Sequence, residues 1–211
     1  MPGEHRHITI IEQTPRGERY YDLFSRLLQD RVIFLRTPIV PVVGNLIVAQ
    51  FLYLEREGSD PVHLYIHSPG GQISAALAVY DVMQFMRSPV WTYCVGQAAS
   101  CAAVLLAAGE PGHRYALPSS EVLIHQPSVE RVGGDAADLR IRMEHLLGVR
   151  HRMNSILAAH TGRPIEDVAR DTERDHFLTA EGALEYGLID HVLTDDVRRA
   201  LGDREAVKGP A

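Results

Sequence analysis

Only two cysteines occur in the 211 residues, Cys94 and Cys101, and both have apolar neighbours. Two are too few for a disulfide framework, and they lack the Cys/His spacing of a structural zinc site. No apolar run approaches the roughly 18 residues that would cross a bilayer. The polar start Met1-Pro2-Gly3-Glu4-His5-Arg6-His7 carries no apolar secretory core. No membrane association is expected, and the cytoplasm is the expected compartment. Basic excess is missing as well: 21 Lys and Arg face 27 Asp and Glu, for a formal net charge of -6, and the arginines are interleaved with acids. That pattern leaves no basic stripe for nucleic acid. Neither Gly-x-Gly-x-x-Gly nor a Gly-Lys-Ser/Thr ending is present, so no phosphate cradle and no cofactor are expected.

What remains is an ordinary globular composition, 45% hydrophobic and 23% charged, with no Pro/Gly/Ser-rich linker to divide it. The pattern predicts an α/β fold of repeated strand-turn-helix units. A short strand at Ile8–Ile11 and a turn-rich loop to Arg19 come first, then a helix from Tyr20 to Leu28. Arg31–Leu35, Val62–His67, Val90–Val95, Arg114–Leu117 and Val122–His125 read as strands, and Val43–Glu57, Ser74–Met86 and Cys101–Ala108 as helices. Gly96 to Ser100 is expected to be the tight turn between a strand and a helix. After the polar stretch Ser128–Asp135, a helix from about Ala136 to His160 is predicted. At roughly 24 residues it would span about 36 Å, longer than a small core needs, and so would project and pack against another subunit. Ile165–Thr172 and Thr179–Tyr186 read as helices, the latter opened by a threonine cap and stopped at Gly187.

The chemistry-bearing residues fall at the turns. Ser100 lies where an apolar strand meets an apolar helix, beside free N–H groups that would favour a developing oxyanion. Capping the helix is the alternative use of such a serine. His125 ends a strand, where imidazole could accept a serine proton if a carboxylate fixes its tautomer. The charged run Arg170-Asp171-Thr172-Glu173-Arg174-Asp175 offers that carboxylate, and spacing alone leaves Asp171 and Asp175 both open. In Ser68-Pro69-Gly70-Gly71, two glycines permit positive φ and close backbone approach, so the amides of Gly70 and Cys101 could converge on a substrate carbonyl.

Taken in order, Ser68-Pro69-Gly70-Gly71, Thr92-x-x-Val95-Gly96-Gln97-Ala98-Ala99-Ser100, Arg114-x-x-x-Pro118-x-x-x-Val122-Leu123-Ile124-His125-Gln126-Pro127 and Arg170-Asp171-Thr172-Glu173-Arg174-Asp175 resemble the proteolytic subunit of the bacterial Clp protease. The likeness runs from about Ile11 to Asp190. It implies the Clp protease/crotonase-like fold with a projecting handle helix, and a serine endopeptidase with nucleophile Ser100, base His125 and orienting acid Asp175. It also implies an oxyanion hole from the backbone of Gly70 and Cys101. By the same resemblance, residues 1–19 form an axial segment, 20–194 the protease domain with the handle at about 126–160, and 195–211 a tail. Partners would be copies of this chain or a paralogue in stacked heptameric rings, an AAA+ unfoldase ATPase, and unfolded polypeptides laid as an added strand along the handle. Tyr65, Phe85, Tyr93 and Tyr115 would form the unfoldase-docking pocket.

Several positions depart from the family pattern: Cys101 where methionine or a small residue is usual, His67 where asparagine usually precedes Ser-Pro-Gly-Gly, His63 where a second docking aromatic is common, Tyr93 for an aliphatic and Tyr115 for a phenylalanine. The stretch Ser128–Gly134 is one residue longer than in many relatives. Two other readings compete. One is a ring subunit that is regulatory or weakly active without a paralogue. The other is a crotonase-like acyl-CoA enzyme, which the Ser100/His125 combination opposes.

Overall fold

The computed structural model describes residues 8–15, 17–128 and 133–194. Two antiparallel strands, β1 (Thr9–Thr14) and β2 (Gly17–Asp22), form a hairpin apart from the main sheet. The turn-rich loop expected here is therefore a second strand, and the first helix, α1 (Leu23–Gln29), starts three residues later than Tyr20 because the Asp22 carboxylate accepts from the amides of Phe24 and Ser25. Residues 1–7 and 195–211 of the expected axial segment and tail lie outside the described residues.

The chain continues through β3 (Val32–Leu35), α2 (Pro41–Glu57), β4 (Val62–Ser68), α3 (Ile73–Phe85), β5 (Val90–Ala99), α4 (Cys101–Ala107), β6 (Arg114–Ala116) and β7 (Glu121–Ile124). It ends with α5 (Ala136–Thr161), α6 (Ile165–Asp171), β8 (His176–Thr179), α7 (Ala180–Tyr186) and β9 (His191–Val192). The main sheet runs β3-β4-β5-β6-β9, all parallel, as strand-helix alternation requires.

β5 organises everything near the chemistry. Its first half, Thr92–Cys94, pairs with β6, while its last residues, Gln97–Ala99, pair with β7. The expected turn at Gly96–Ser100 is thus mostly strand: Gly96, at φ 80°, bends the strand between its two partners, and only Ser100 breaks from it. β7 then carries β8 antiparallel, opposing Ile124 to His176.

One face of β4 and β5 is buried and aliphatic, the other half-exposed and aromatic, the two-residue alternation of a pleated strand. On the aliphatic face lies α4, all seven of its residues buried; a helix apolar all round belongs inside a core. On the other face the register aligns Phe34, Tyr65, Tyr93, Tyr115 and His191 into one cross-strand ladder, with ring centroids 5.2, 4.5, 4.9 and 5.6 Å apart. Arg114 fastens the lower edge: it pairs with Asp190 at 2.6 Å and donates to the carbonyls of Ala107, His160 and Gly187. Burial pushes the Asp190 carboxyl up, but hydrogen bonds and charge from Arg114 win and hold it below the usual carboxylate range.

α5 is 26 residues long, opened by the Asp135 carboxylate and closed by Gly162 in the left-handed conformation. Only Met153, Asn154 and Leu157 are buried, while Ile141, Met143 and Leu147 stand exposed. Its second half covers the core and its first half projects.

Candidate active site

Ser100 occupies the cap position of α4 in an unusual backbone conformation, φ 57°, ψ −125°. A non-glycine residue there costs about 1–3 kcal/mol and persists only where surroundings enforce it. Here they do: the Ser100 amide donates to Leu123 O at 2.8 Å, and its carbonyl accepts from Ala103 and Val104. The hydroxyl makes no capping bond to the helix. A cap serine would spend its oxygen on the amides at the second or third helical position; this one does not, and its hydroxyl bonds instead with the neighbouring Cys101 thiol.

Gly70, at φ 85°, lies directly against that turn. A Cβ there would stand 2.5 Å from Ala99 O, 2.7 Å from Ser100 Cβ and 3.1 Å from Cys101 N, so only glycine fits. The turn is fixed from behind by Ile39, whose amide donates to Gly70 O at 2.8 Å and whose carbonyl accepts from Gln72 at 2.7 Å. The Gly70 amide itself donates to Ser68 Oγ at 3.2 Å. The amide of Cys101 belongs to the first residue of α4, at the N-terminal end of the helix. The thiol of Cys101 is buried and donates to Gly71 O at 3.6 Å; burial pushes it above the ordinary thiol range and so keeps it protonated. His67 has a structural use: its Nδ1 bonds Val95 O at 2.8 Å and its ring packs beside Gly96.

His125 follows β7, its Nδ1 3.0 Å from Asp175 Oδ1. A carboxylate can only accept, so Nδ1 carries a proton, and in the neutral ring it is Nε2 that offers the lone pair. Asp171 is engaged elsewhere, accepting from the Tyr186 hydroxyl at 3.1 Å, and of the two aspartates Asp175 is the one that reaches His125. Ser100 and His125 line one narrow cavity of about 20 Å³, room for a single water, walled by Ile73, Val104, Ile124 and Met153. No hydrogen bond joins the Ser100 hydroxyl to the His125 ring among the described residues. On its other side, the His125–Asp175 pair borders an open groove of about 470 Å³ that also includes Gln126, Glu173 and Arg174.

Two residues of this site have roles that the sequence does not assign, although one, Gln126, lies inside the His125-Gln126-Pro127 motif. Asn154, 4% exposed on the mostly polar α5, brings an amide to the cavity wall and bonds the Thr172 hydroxyl at 3.2 Å. Gln126 lies beside His125 and bonds the acid-bearing loop. Hydrophobic periodicity cannot flag either, since each is defined by what it meets across the fold.

Of the proposed docking residues, Tyr65, Tyr93 and Tyr115 come together in the aromatic ladder, Tyr115 fully buried. His63 joins them through a 2.8 Å contact from Nδ1 to the Tyr93 hydroxyl. Phe85 does not: it ends α3 at 86% exposure and makes no ring contact among the described residues. Of the stretch expected to receive peptide, residues 129–132 lie outside the described ones. Among the described residues no cluster of His, Cys, Asp and Glu could hold a metal, and no helix is long and apolar enough to cross a membrane.

A family model described as Clp protease matches residues 15–196, from the β1–β2 hairpin to just past β9.

Proposed function

The chain belongs to the Clp protease family, and from that premise we propose that it is the proteolytic subunit of an ATP-dependent protease, a cytoplasmic serine endopeptidase acting on unfolded polypeptides. One observation carries the reading: a serine held in a strained turn, its hydroxyl not used to cap the helix, shares a cavity with a histidine whose far nitrogen is bonded to a carboxylate at 3.0 Å.

In this mechanism Ser100 Oγ attacks the peptide carbonyl carbon while His125 Nε2 takes its proton. The carbonyl oxygen becomes an oxyanion stabilised by the amides of Cys101 and Gly70. His125 then returns the proton to the leaving amine, and the C–N bond breaks to leave an ester on Ser100. Water, deprotonated by His125, attacks that ester and frees the acid. Asp175 holds the imidazole tautomer and stabilises its charged form. Each step needs only side chains and backbone amides, and ATP would be used by a partner ATPase.

Members of the family form rings with AAA+ partners. A ring assembly for this chain is supported by the projecting half of α5 with exposed Ile141, Met143 and Leu147, and a partner face by the tyrosine ladder. A second reading, a subunit that needs its assembly or a paralogue to become active, draws on a specific feature. Ser100 and His125 share a cavity without a hydrogen bond, and the Gly70 amide is turned to Ser68 Oγ rather than outward. Catalytic contacts commonly tighten only in the complex with substrate. Fluorophosphonate labelling tests both readings. Label at Ser100 in the purified protein, lost in Ser100→Ala, supports a competent enzyme, whereas label only after mixing with a paralogue supports the dependent subunit. No label under either condition would sink the protease assignment.

A further inference from the structure

Asp175 is 62% exposed, and its side chain has one hydrogen-bond partner among the described residues, His125. Packing does not hold it, so its aim depends on the loop that carries it. That loop is laced to the base's own segment on both sides. Downstream, His176 pairs with Ile124 in the β7–β8 ladder. Upstream, the Gln126 amide donates to Thr172 O at 2.6 Å and Gln126 Nε2 donates to Glu173 O at 2.8 Å. A peptide carbonyl only accepts, which fixes the orientation of the Gln126 amide. Thr172 is a firm anchor, fully buried with its hydroxyl donating to Val168 O at 2.8 Å. Glu173 is half-exposed, and what it has instead is two tethers: Gln126 on its carbonyl, and Arg150 of α5 on its carboxylate at 2.5 Å.

We infer that Gln126 is a positioning residue for the His125–Asp175 pair, and that Arg150, through Glu173, ties the same loop to the long helix. The inference rests on the proposed protease chemistry. Ile124 at the end of β7 and the His125 and Gln126 that follow it then act as one unit, the base in the middle and the two grips on the acid loop on either side. The Gln126 side chain places the grip nearest to Asp175 on its upstream side, two residues away. Loosening it lets the carboxylate swing off the imidazole, although nothing in the buried core has changed.

The test is Gln126→Met, which keeps length and volume but removes the donor, with Gln126→Leu as a second variant. The rate of fluorophosphonate labelling at Ser100 is followed against pH. Misplacement of this kind is expected to slow labelling about 10- to 100-fold, less than the roughly 10⁴-fold expected on losing the acid's function. The acidic limb of the profile should also move to lower pH, because a more distant carboxylate favours the protonated ring less. Arg150→Met should move the limb the same way by less. The limb position does not depend on how much protein is folded, so a rate loss with an unmoved limb marks a merely structural role and overturns the inference. So does a rate and limb like those of the unmodified protein. Hydrogen exchange of the amides at 173–175 is read beside it and should quicken in Gln126→Met; unchanged exchange overturns the inference even if no protein takes label. Label at Ser100 in the unmodified protein with no change in the variants would end this inference while leaving the protease reading intact.

Discussion

The two halves of the candidate site are built differently. Ser100, Gly70 and Cys101 are set by the sheet and the buried helix α4: strand pairing ends at Ala99, Ile39 clamps the Gly70 turn, and no side chain larger than hydrogen fits at Gly70. His125 and Asp175 stand at 28% and 62% side-chain exposure, held by a handful of polar contacts and a loop. Close-packed interiors have discrete arrangements and resist small displacements, whereas exposed hydrogen-bonded loops open locally at little cost. The contrast locates control of the activity. The proposed nucleophile and the Gly70 turn, made by packing, keep their positions, while the proposed base and acid can be aligned or misaligned by whatever moves α5 or the 172–175 loop.

The first way to break the comparison is to remove one chemical group from each half. Ser100→Ala should abolish fluorophosphonate labelling and lower peptide hydrolysis by at least about 10⁴-fold. Asp175→Asn should come close, at about 10⁴-fold, because the amide can stabilise the wrong tautomer of His125. Asp171→Asn should leave the rate within a few-fold and instead cost about 1 kcal/mol of thermal stability through its bond to Tyr186. If Asp171→Asn proved as damaging to hydrolysis as Asp175→Asn, the flexible half would have been assigned to the wrong carboxylate.

Next in size is Gly70→Ala. The added Cβ would collide with Ala99 O at 2.5 Å and Ser100 Cβ at 2.7 Å at a backbone φ of 85°. Loss of a correctly placed oxyanion donor is worth about 10²- to 10³-fold in rate, and the strain about 1–3 kcal/mol in stability. Melting temperature and labelling rate should therefore fall together, the signature of a site whose chemistry and packing are the same atoms. In the Gln126 variants, by contrast, the rate should change while the melting temperature holds. A Gly70→Ala protein as stable as its parent would mean the rigid half has slack.

The same contrast explains what could be read from the chain. The strands that bury one face announce themselves by alternation, as in Val62-His63-Leu64-Tyr65-Ile66, and α4 by an unbroken apolar run. The parallel order follows because helices alternate with strands. What escaped was set by long-range partners. Gly96 reads as a turn, but β7 and Ser120 supply strand pairing and an acceptor for its amide, so the strand continues. Tyr20 and Tyr21 fit a helical spacing, yet β1 captures them into a hairpin. At the site, residue types pointed to Ser100, His125 and the acidic run, but no local spacing decides between Asp171 and Asp175. The roles of Gln126, seen only as part of a motif, and of Asn154 were not legible, because their partners at Glu173 and Thr172 are 47 and 18 residues away.

The smallest expected effect sharpens the comparison from the rigid side. Cys101 sits beside the proposed nucleophile at 2% exposure, its thiol turned to Gly71 O at 3.6 Å and pushed by burial above the ordinary thiol range. The thiolate is the reactive form, and a buried neutral thiol is inert. Iodoacetamide at neutral pH should therefore leave Cys101 unmodified in the folded protein and alkylate it once the protein is denatured, as mass spectrometry of the peptide would show. Cys101→Ala keeps the backbone amide proposed for the oxyanion and removes only a small apolar group, so Ser100 labelling should stay within about threefold and stability fall by about 1 kcal/mol. Rapid alkylation of native Cys101 with loss of Ser100 labelling would instead place a mobile, solvent-reachable thiol in the half held by packing. The distinction between a fixed nucleophile and an adjustable base would then have to be given up.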